Sequence, residues 1–347
     1  MPPFPVPQNM PMLDTPHLLI SYAACADSGC QQALKNLNLP HLDGLLARLT
    51  LQHHDRVPDE NLAMPHERVL ARTAGLPLPE GEENIAWAAW HAYQHGIAHS
   101  ISPIEIGRTA WAFVTPCHWQ VGTDHITLHD PAGLHLTEPD SRALLEILAP
   151  WFEGDGITLA YDQPTRWLAQ GDSLAHLPTP SLERVCGHDV RDWMQHQGPS
   201  KDPLSAHVKA VQTLQRLHSE LQMLLYTHPF NDAREAQGLM PINAFWLHGA
   251  GQLETAPQAQ SPLPKVIDTL RAPAQQEDWN AWAEAWALLD AGPLAQLQAH
   301  VAGGGAAYLT LAGEQSAITW HTAPRGLPQK IMSVFRPQRF TSIRRQL

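Results

Sequence analysis

Residues 227–251 read Thr-His-Pro-Phe-Asn-Asp-Ala-Arg-Glu-Ala-Gln-Gly-Leu-Met-Pro-Ile-Asn-Ala-Phe-Trp-Leu-His-Gly-Ala-Gly. The stretch sets His228, Asn231, Arg234, Asn243 and Trp246 beside glycines and a short apolar run. That mixture suits a surface that holds an anion or a sugar acid. A guanidinium grips a carboxylate or phosphate through two parallel N–H donors, and histidine and asparagine add hydrogen bonds. Arg166 is a second candidate clamp of the same kind. A structural reading has equal weight: Asn231 and Asn243 cap turns, and Arg234 pairs with an acid to tie a helix to a sheet. Residues in a loop at the end of a strand can serve either purpose.

The elements that must position these residues follow from composition and periodicity. At 347 residues the chain buries a large core, as one α/β domain with an insertion or as two domains. A hydrophobic content of 44% with 16% charged residues argues against disorder. The net charge of -12 argues against nucleic-acid binding by the surface as a whole. Twenty-one histidines make the charge fall steeply as pH rises through the histidine range. Most of the twelve tryptophans are expected in the core or at anchors. No apolar run is long enough to span a membrane, and the start of the chain does not read as a signal peptide. Cys25, Cys30, Cys117 and Cys186 form no Cys-x-x-Cys pair, so free thiols in a reduced cytoplasm are expected. Cys25 and Cys30 alone are a weak metal signal.

Residues 17–24 read as a buried strand, followed by a turn and helix start at Asp27-Ser28-Gly29. Leu42, Leu45, Leu46 and Leu49 share one helix face, with Pro40 in the first turn. Residues 111–115 and 125–129 alternate as strands about a Gly122-Thr123 turn, and 156–161 with 165–169 read as a hairpin. The strongest helix is 204–226, with an apolar stripe from Val208 to Leu225. Residues 242–247 read as a strand ending at Gly249, a natural place for a ligand in an α/β sheet. Trp279, Trp282 and Trp286 share a helix face and are expected in the core. Gly303-Gly304-Gly305 lacks the Lys-Ser/Thr of a phosphate-cradling loop. The fold class expected is α/β. A Pro-rich arm covers 1–16, a core domain 17–104 and 196–324, an inserted α+β lobe 105–195, and a basic tail 325–347. From Gln315 onward there are six Lys/Arg and no Asp/Glu. Such a tail docks on the body, a protein partner or nucleic acid, and self-docking is the simplest of these.

Several of these segments together resemble the archaeal-type, cofactor-independent phosphoglycerate mutases of the alkaline phosphatase superfamily. The strand at 17–24 followed by Leu39-Pro-His-Leu-Asp-Gly-Leu-Leu-Ala-Arg-Leu49 is similar to that family's first strand and helix. Thr165-Arg166-Trp167-Leu168 is similar to its Tyr-Arg-His-x-Leu strand. The fullest match is His228-Pro229, Asn231, Arg234, Gly238, Pro241-Ile-Asn243-Ala244, Trp246 and Gly249-Ala-Gly251, against His-Pro-x-Asn-x-x-Arg, Gly, Pro-Ala-Asn-x-x-Trp and Gly-x-Gly. The chain is also similar to a proteobacterial group labelled regulatory or mutase-like proteins. The resemblance covers residues 17–251 and implies an alkaline-phosphatase-like, doubly wound mixed sheet with a smaller inserted lobe. It also implies substrate-binding roles for Arg166, His228, Asn231, Arg234, Asn243 and Trp246.

In the family, two divalent cations about 4 Å apart activate a serine that carries the phosphoryl group, and clustered Asp and His hold them. Its first ligand is an Asp directly after the first strand. Here that place is Ser21-Tyr22. Its remaining ligands lie in the last third as Asp-x-x-x-His and Asp-His pairs. Residues 252–347 carry Asp268, Asp278, Asp290, His300 and His321, which form no such pair. Asp27 and Ser28 are the weak candidates for a displaced ligand and nucleophile, and a helix N-cap explains them more simply. The expectation is a mutase-like protein that has lost the dinuclear site. It would need no cofactor and act as a binding or regulatory protein for a small phosphorylated or carboxylated ligand. Two alternatives stand beside it. One is an active Mn- or Zn-dependent phosphoglycerate mutase or phosphatase. The other is an interaction module for a nucleic-acid enzyme, using a Trp-rich surface and the basic tail.

Overall fold

The computed structural model describes residues 15–58, 61–78, 84–97, 109–194, 202, 205–259, 263–323 and 338–347. The Pro-rich arm, except for its last two residues, and the tail before residue 338 lie outside the described residues. The strands are β1 (His17–Ile20), β2 (Thr50–Arg56), β3 (Trp111–Cys117), β4 (Trp119–Val121), β5 (Ile126–Leu128), β6 (Thr158–Gln163), β7 (Arg166–Gln170), β8 (Ala244–Gly251), β9 (Lys265–Ile267), β10 (Tyr308–Ala312) and β11 (Ser316–His321). The first helices are α1 (Ser28–Asn36), α2 (Pro40–Leu46), α3 (Pro65–Ala74), α4 (Trp87–Gln94), α5 (Glu138–Glu153), α6 (Leu182–Val185) and α7 (Arg191–Met194). They continue with α8 (Ala206–Tyr226), α9 (Pro229–Ala236), α10 (Arg271–Gln275), α11 (Trp279–Leu289) and α12 (Ala295–Ala302), and a last turn spans Phe340–Ile343. No helix among the described residues is long and apolar enough to cross a membrane.

The described chain divides into two units. One is drawn from Pro3–Asp59, Met64–Gly75 and Ala259–Leu347. It holds a mixed sheet in the order β2-β11-β10-β1-β9. β9, β1 and β10 run parallel, and β11 and β2 close the sheet antiparallel. β1 is apolar beyond His17 and buried throughout, as a central parallel strand must be when both faces are covered. His17 meets Thr310 Oγ1 at 2.9 Å, so its buried ring is satisfied. Leu42, Leu45 and Leu46 of α2 pack into one core with Trp282, Trp286 and Trp320. Trp282 and Trp286 lie in the core as their helix-face spacing leads one to expect, both fully buried. The tail end joins the same core: Phe340 and Ile343 are buried, and Phe340 stacks 5.3 Å from Trp286. The Phe340 amide donates to Asp43 Oδ1 at 2.8 Å. For the described tail residues, self-docking is what the structure contains.

The other unit is drawn from Leu76–Gln258 with Glu60–Ala63. Its sheet runs β6-β7-β3-β8 and is antiparallel throughout. One face packs on α5 and α8 through Val114, Trp167, Phe245, Leu148 and Leu221. α8 follows the apolar stripe, with Val208, Val211, Leu217, Leu221 and Leu225 buried. Two expectations change here. β8 pairs with β3, so the described residues of 205–251 belong to the same unit as 109–194, where the sequence reading placed them in the core domain. The pairing partner, which sequence alone does not name, decides this. β3 does not pair with the strand at 126–128 either. β4 does, and the turn at Gly122 joins those two short strands.

Candidate functional site

α9 and the turn before it gather three of the candidate residues. His228 is the N-cap of α9, its Nδ1 accepting from the Phe230 amide at 3.2 Å. Asn231 is buried and fully bonded. Its amide donates to the Leu225 carbonyl at 2.9 Å and the Ile242 carbonyl at 2.8 Å, and its oxygen accepts from the Ile242 amide at 2.9 Å. Arg234 donates to the Met240 carbonyl at 3.0 Å and the Leu134 carbonyl at 2.6 Å. The spacing His-Pro-x-Asn-x-x-Arg thus ties the end of α8, α9 and the approach to β8 into one knot. Asn243 continues it from the other side, clamping the Trp119 backbone through its oxygen at 2.7 Å and its amide at 3.0 Å. Trp246 Nε1 donates to the Pro180 carbonyl at 3.0 Å. The Trp246 ring lines a cavity of about 30 Å³ with Thr179, Gln215 and His218.

Gly249 and Gly251 have a packing duty. Their φ values are +61° and +144°, and a Cβ on Gly249 would come 3.0 Å from Trp87 Cβ, one on Gly251 2.9 Å from Ala86 Cβ. Glycine lets the strand meet the start of α4 at a distance no side chain allows. β8 runs on through Gly251 in an antiparallel sheet, so the ligand position beyond the carboxyl end of a parallel strand does not apply to it.

Arg166 lies apart from the α9 group. Its Nε donates to Asp162 Oδ2 at 2.8 Å, and its guanidinium carbon sits 4.9 Å from the Phe113 ring centroid. Asp162 Oδ1 also meets His91 Nε2 at 3.3 Å. Burial pushes the Asp162 carboxyl up, but the His91 hydrogen bond and the Arg166 charge outweigh it and hold the pKa at about 2. Beside them His248 Nε2 meets Thr115 Oγ1 at 3.1 Å, and burial, then Arg166, hold the pKa of His248 down at about 3. His91, Asp162, Thr115 and His248 were not singled out by sequence. The usable signals were opposite charges flanking the hairpin turn from Asp162 to Arg166, and the His91/His95 pair one helical turn apart. Chemically this is a carboxylate that orients an imidazole.

The two arginines therefore differ in what they offer an anion. Asp162 compensates Arg166. Arg234 is 3% exposed, is in no ion pair among the described residues, and turns its Nη1 toward no acceptor. Burial lowers its pKa. The nearby Asp140 charge opposes that shift and partly compensates the guanidinium.

The residues that would have to hold two cations do not fit them. Past β1, the Ser21 hydroxyl reaches the Ile267 carbonyl at 3.5 Å, and Tyr22 takes φ +55°. Asp27 accepts from the Gly29 and Cys30 amides at 2.7 and 3.2 Å as the N-cap of α1, and Ser28 is exposed. Asp278 caps α11 through the Ala281 amide at 3.0 Å. Asp290 caps α2, accepting from His41 and Leu42 at 3.2 and 2.8 Å. His300 meets the Ala306 carbonyl at 3.0 Å, and the His321 ring lies 5.9 Å from Tyr308. The exposed Asp124–His125 pair, at 2.8 Å, lies in the β4–β5 turn. Among the described residues no three His, Cys, Asp or Glu side chains converge as a metal ion requires.

No family model and no curated protein matches the chain. Solved structures similar to it include the following two. A cofactor-independent phosphoglycerate mutase from Thermoplasma acidophilum DSM 1728 is 12% identical over 88% of this chain and 89% of that one, with a TM-score of 0.33. The PH0037 protein from Pyrococcus horikoshii is 10% identical over 96% and 98%, with a TM-score of 0.39. The fold and site define a mixed α/β protein of two units, with a buried cation in the unit of the antiparallel sheet.

Proposed function

We propose that this is a mutase-like protein that binds a small phosphorylated or carboxylated ligand and acts in regulation, without dinuclear phosphoryl transfer. The motif resemblance across residues 17–251 supports the mutase-like ancestry. One observation supports the loss of the dinuclear site: among the described residues no three acids, histidines or cysteines converge, and several of the late ones have other partners. Asp278 and Asp290 cap helices, His300 bonds a carbonyl, and His321 lies against Tyr308. Arg234, buried with a donor to spare, supports an anionic ligand.

The test titrates the full chain with Mn²⁺ and Zn²⁺ by calorimetry and follows 3-phosphoglycerate isomerisation in a coupled assay. Titrations with 3-phosphoglycerate and inorganic phosphate follow, without metal. The expected result is anion binding with no metal-dependent turnover. Arg234→Lys keeps a charge but loses the planar fork, and should weaken binding about tenfold. Metal-dependent turnover that falls in a folded Arg234→Lys protein would return the chain to the active mutases.

A further inference from the structure

His118 and His129 stand outside the knot around Arg234 and outside the Asp162 cluster, and the anion-binding reading gives them no task. They face each other across the open end of the β4–β5 hairpin. Trp119 pairs with Leu128, and one step further the His129 amide donates to the His118 carbonyl at 3.0 Å. Residues directly opposite in an antiparallel pair carry their Cβ atoms about 4.5–5.5 Å apart on one face. The two rings accordingly lie 5.5 Å apart between centroids, at 66° to each other. Both residues are half-buried.

One nitrogen of each ring is already spent on an acceptor. His118 Nδ1 lies 2.9 Å from the Pro241 carbonyl oxygen, and His129 Nε2 lies 2.6 Å from Gln120 Oε1. Neither oxygen can donate, so each of these nitrogens carries the proton. The tautomers follow: His118 Nε2 and His129 Nδ1 hold the lone pairs. Gln120 is placed for this by the strand period, two residues beyond His118 on the same face. Burial, and then the neighbouring His118, lower the pKa of His129, so its ring is neutral at pH 7. Metal-binding imidazoles are held in this way, the second nitrogen donating to a carbonyl or carboxyl oxygen that fixes the ring.

We propose that His118 and His129 form a two-imidazole site for a single late first-row divalent cation, with Cu²⁺ held most tightly. A cation about 2.0–2.1 Å from two ring nitrogens lies about 3.2 Å from each centroid, which at a tetrahedral angle sets the centroids about 5.2 Å apart. The observed 5.5 Å is close to that separation. Imidazole suits Zn²⁺, Ni²⁺ and Cu²⁺, and affinity along that row is greatest for Cu²⁺. Two protein ligands leave the other positions to water, so the ion exchanges, unlike one in a closed four-ligand cage. The pair is distinct from the acids and histidines of residues 252–347 and offers no place for a second cation, so it does not restore dinuclear phosphoryl transfer.

The experiment titrates the metal-free full chain with Cu²⁺ at pH 7 by calorimetry and records pulsed electron paramagnetic resonance at one equivalent. The expected result is one site tighter than the rest, with two imidazoles on the ion. His118→Gln and His129→Gln should each weaken that site and leave a single imidazole in the spectrum. Gln120→Leu removes no ligand but frees the His129 ring to turn, so it should weaken binding about tenfold with both imidazoles still present. Three results overturn the proposal. The first is a wild-type spectrum with fewer than two imidazoles. The second is two imidazoles at unchanged affinity in either folded histidine variant. The third, which decides if neither histidine variant folds, is unchanged affinity in Gln120→Leu.

Discussion

At the scale of single residues, side chains that look like ligand contacts are first of all fasteners. Asn231 answers three buried backbone groups at once. Asn231→Leu keeps the volume and removes all three partners, so it should destabilise the unit by about 3 kcal/mol in urea unfolding. Asp162 behaves differently because its charge is matched. Its folded pKa of about 2 lies below the roughly 3.9 of an unfolded aspartate. Its contribution is therefore present above about pH 4 and lost as pH falls toward 2, on the order of 2 kcal/mol. Asp162→Asn should show a shallower loss of stability than wild type in acid titrations over that window. A parallel loss in both proteins would mean the carboxylate is not held as the geometry requires.

At the scale of elements, amphipathic and capped segments were legible and strand partners were not. The period of Val208, Val211, Leu217, Leu221 and Leu225 alone marks α8, because burying one face dictates the spacing. The hairpin from Thr158 to Gln170 was legible because alternation and a short turn act locally. β8 was recognisable as a strand, but its partner β3 lies more than a hundred residues earlier, and no local rule connects the two. The cluster of His91, Asp162 and His248 was hidden for the same reason. Arg166 was visible only as half of a pair. Two predictions belong here. Asp290 caps α2 from a distant turn, so Asp290→Ala should cost about 2 kcal/mol and lower the melting temperature. Gly249→Ala meets both a left-handed φ and Trp87 Cβ, so it should cost about 2 kcal/mol or more in urea unfolding while leaving the far-UV circular dichroism spectrum unchanged.

At the scale of the whole molecule, acid sensitivity should begin well above the carboxylate range. Burial holds His218 at about 4, and burial with Arg166 holds His248 at about 3. Both lie below the roughly 6.5 of an exposed histidine, so the unfolded chain binds more protons between those limits. Stability is complete above about pH 6.5 and falls as pH drops toward 4, by several kcal/mol for the two together. The urea midpoint should be lower at pH 5 than at pH 7, and the difference should shrink in His218→Phe and in His248→Gln. Equal differences in wild type and both variants would count against this account. The division into two units has a further outcome. β1 takes its partners from β9 and β10, which are made only after the whole stretch Leu76–Gln258. At roughly 5–20 residues per second on the ribosome, Leu18, Leu19 and Ile20 wait about 15–60 s without neighbours while the interrupting unit has time to fold. An apolar, strand-prone tripeptide left open for that long is a place for a nascent-chain chaperone to act.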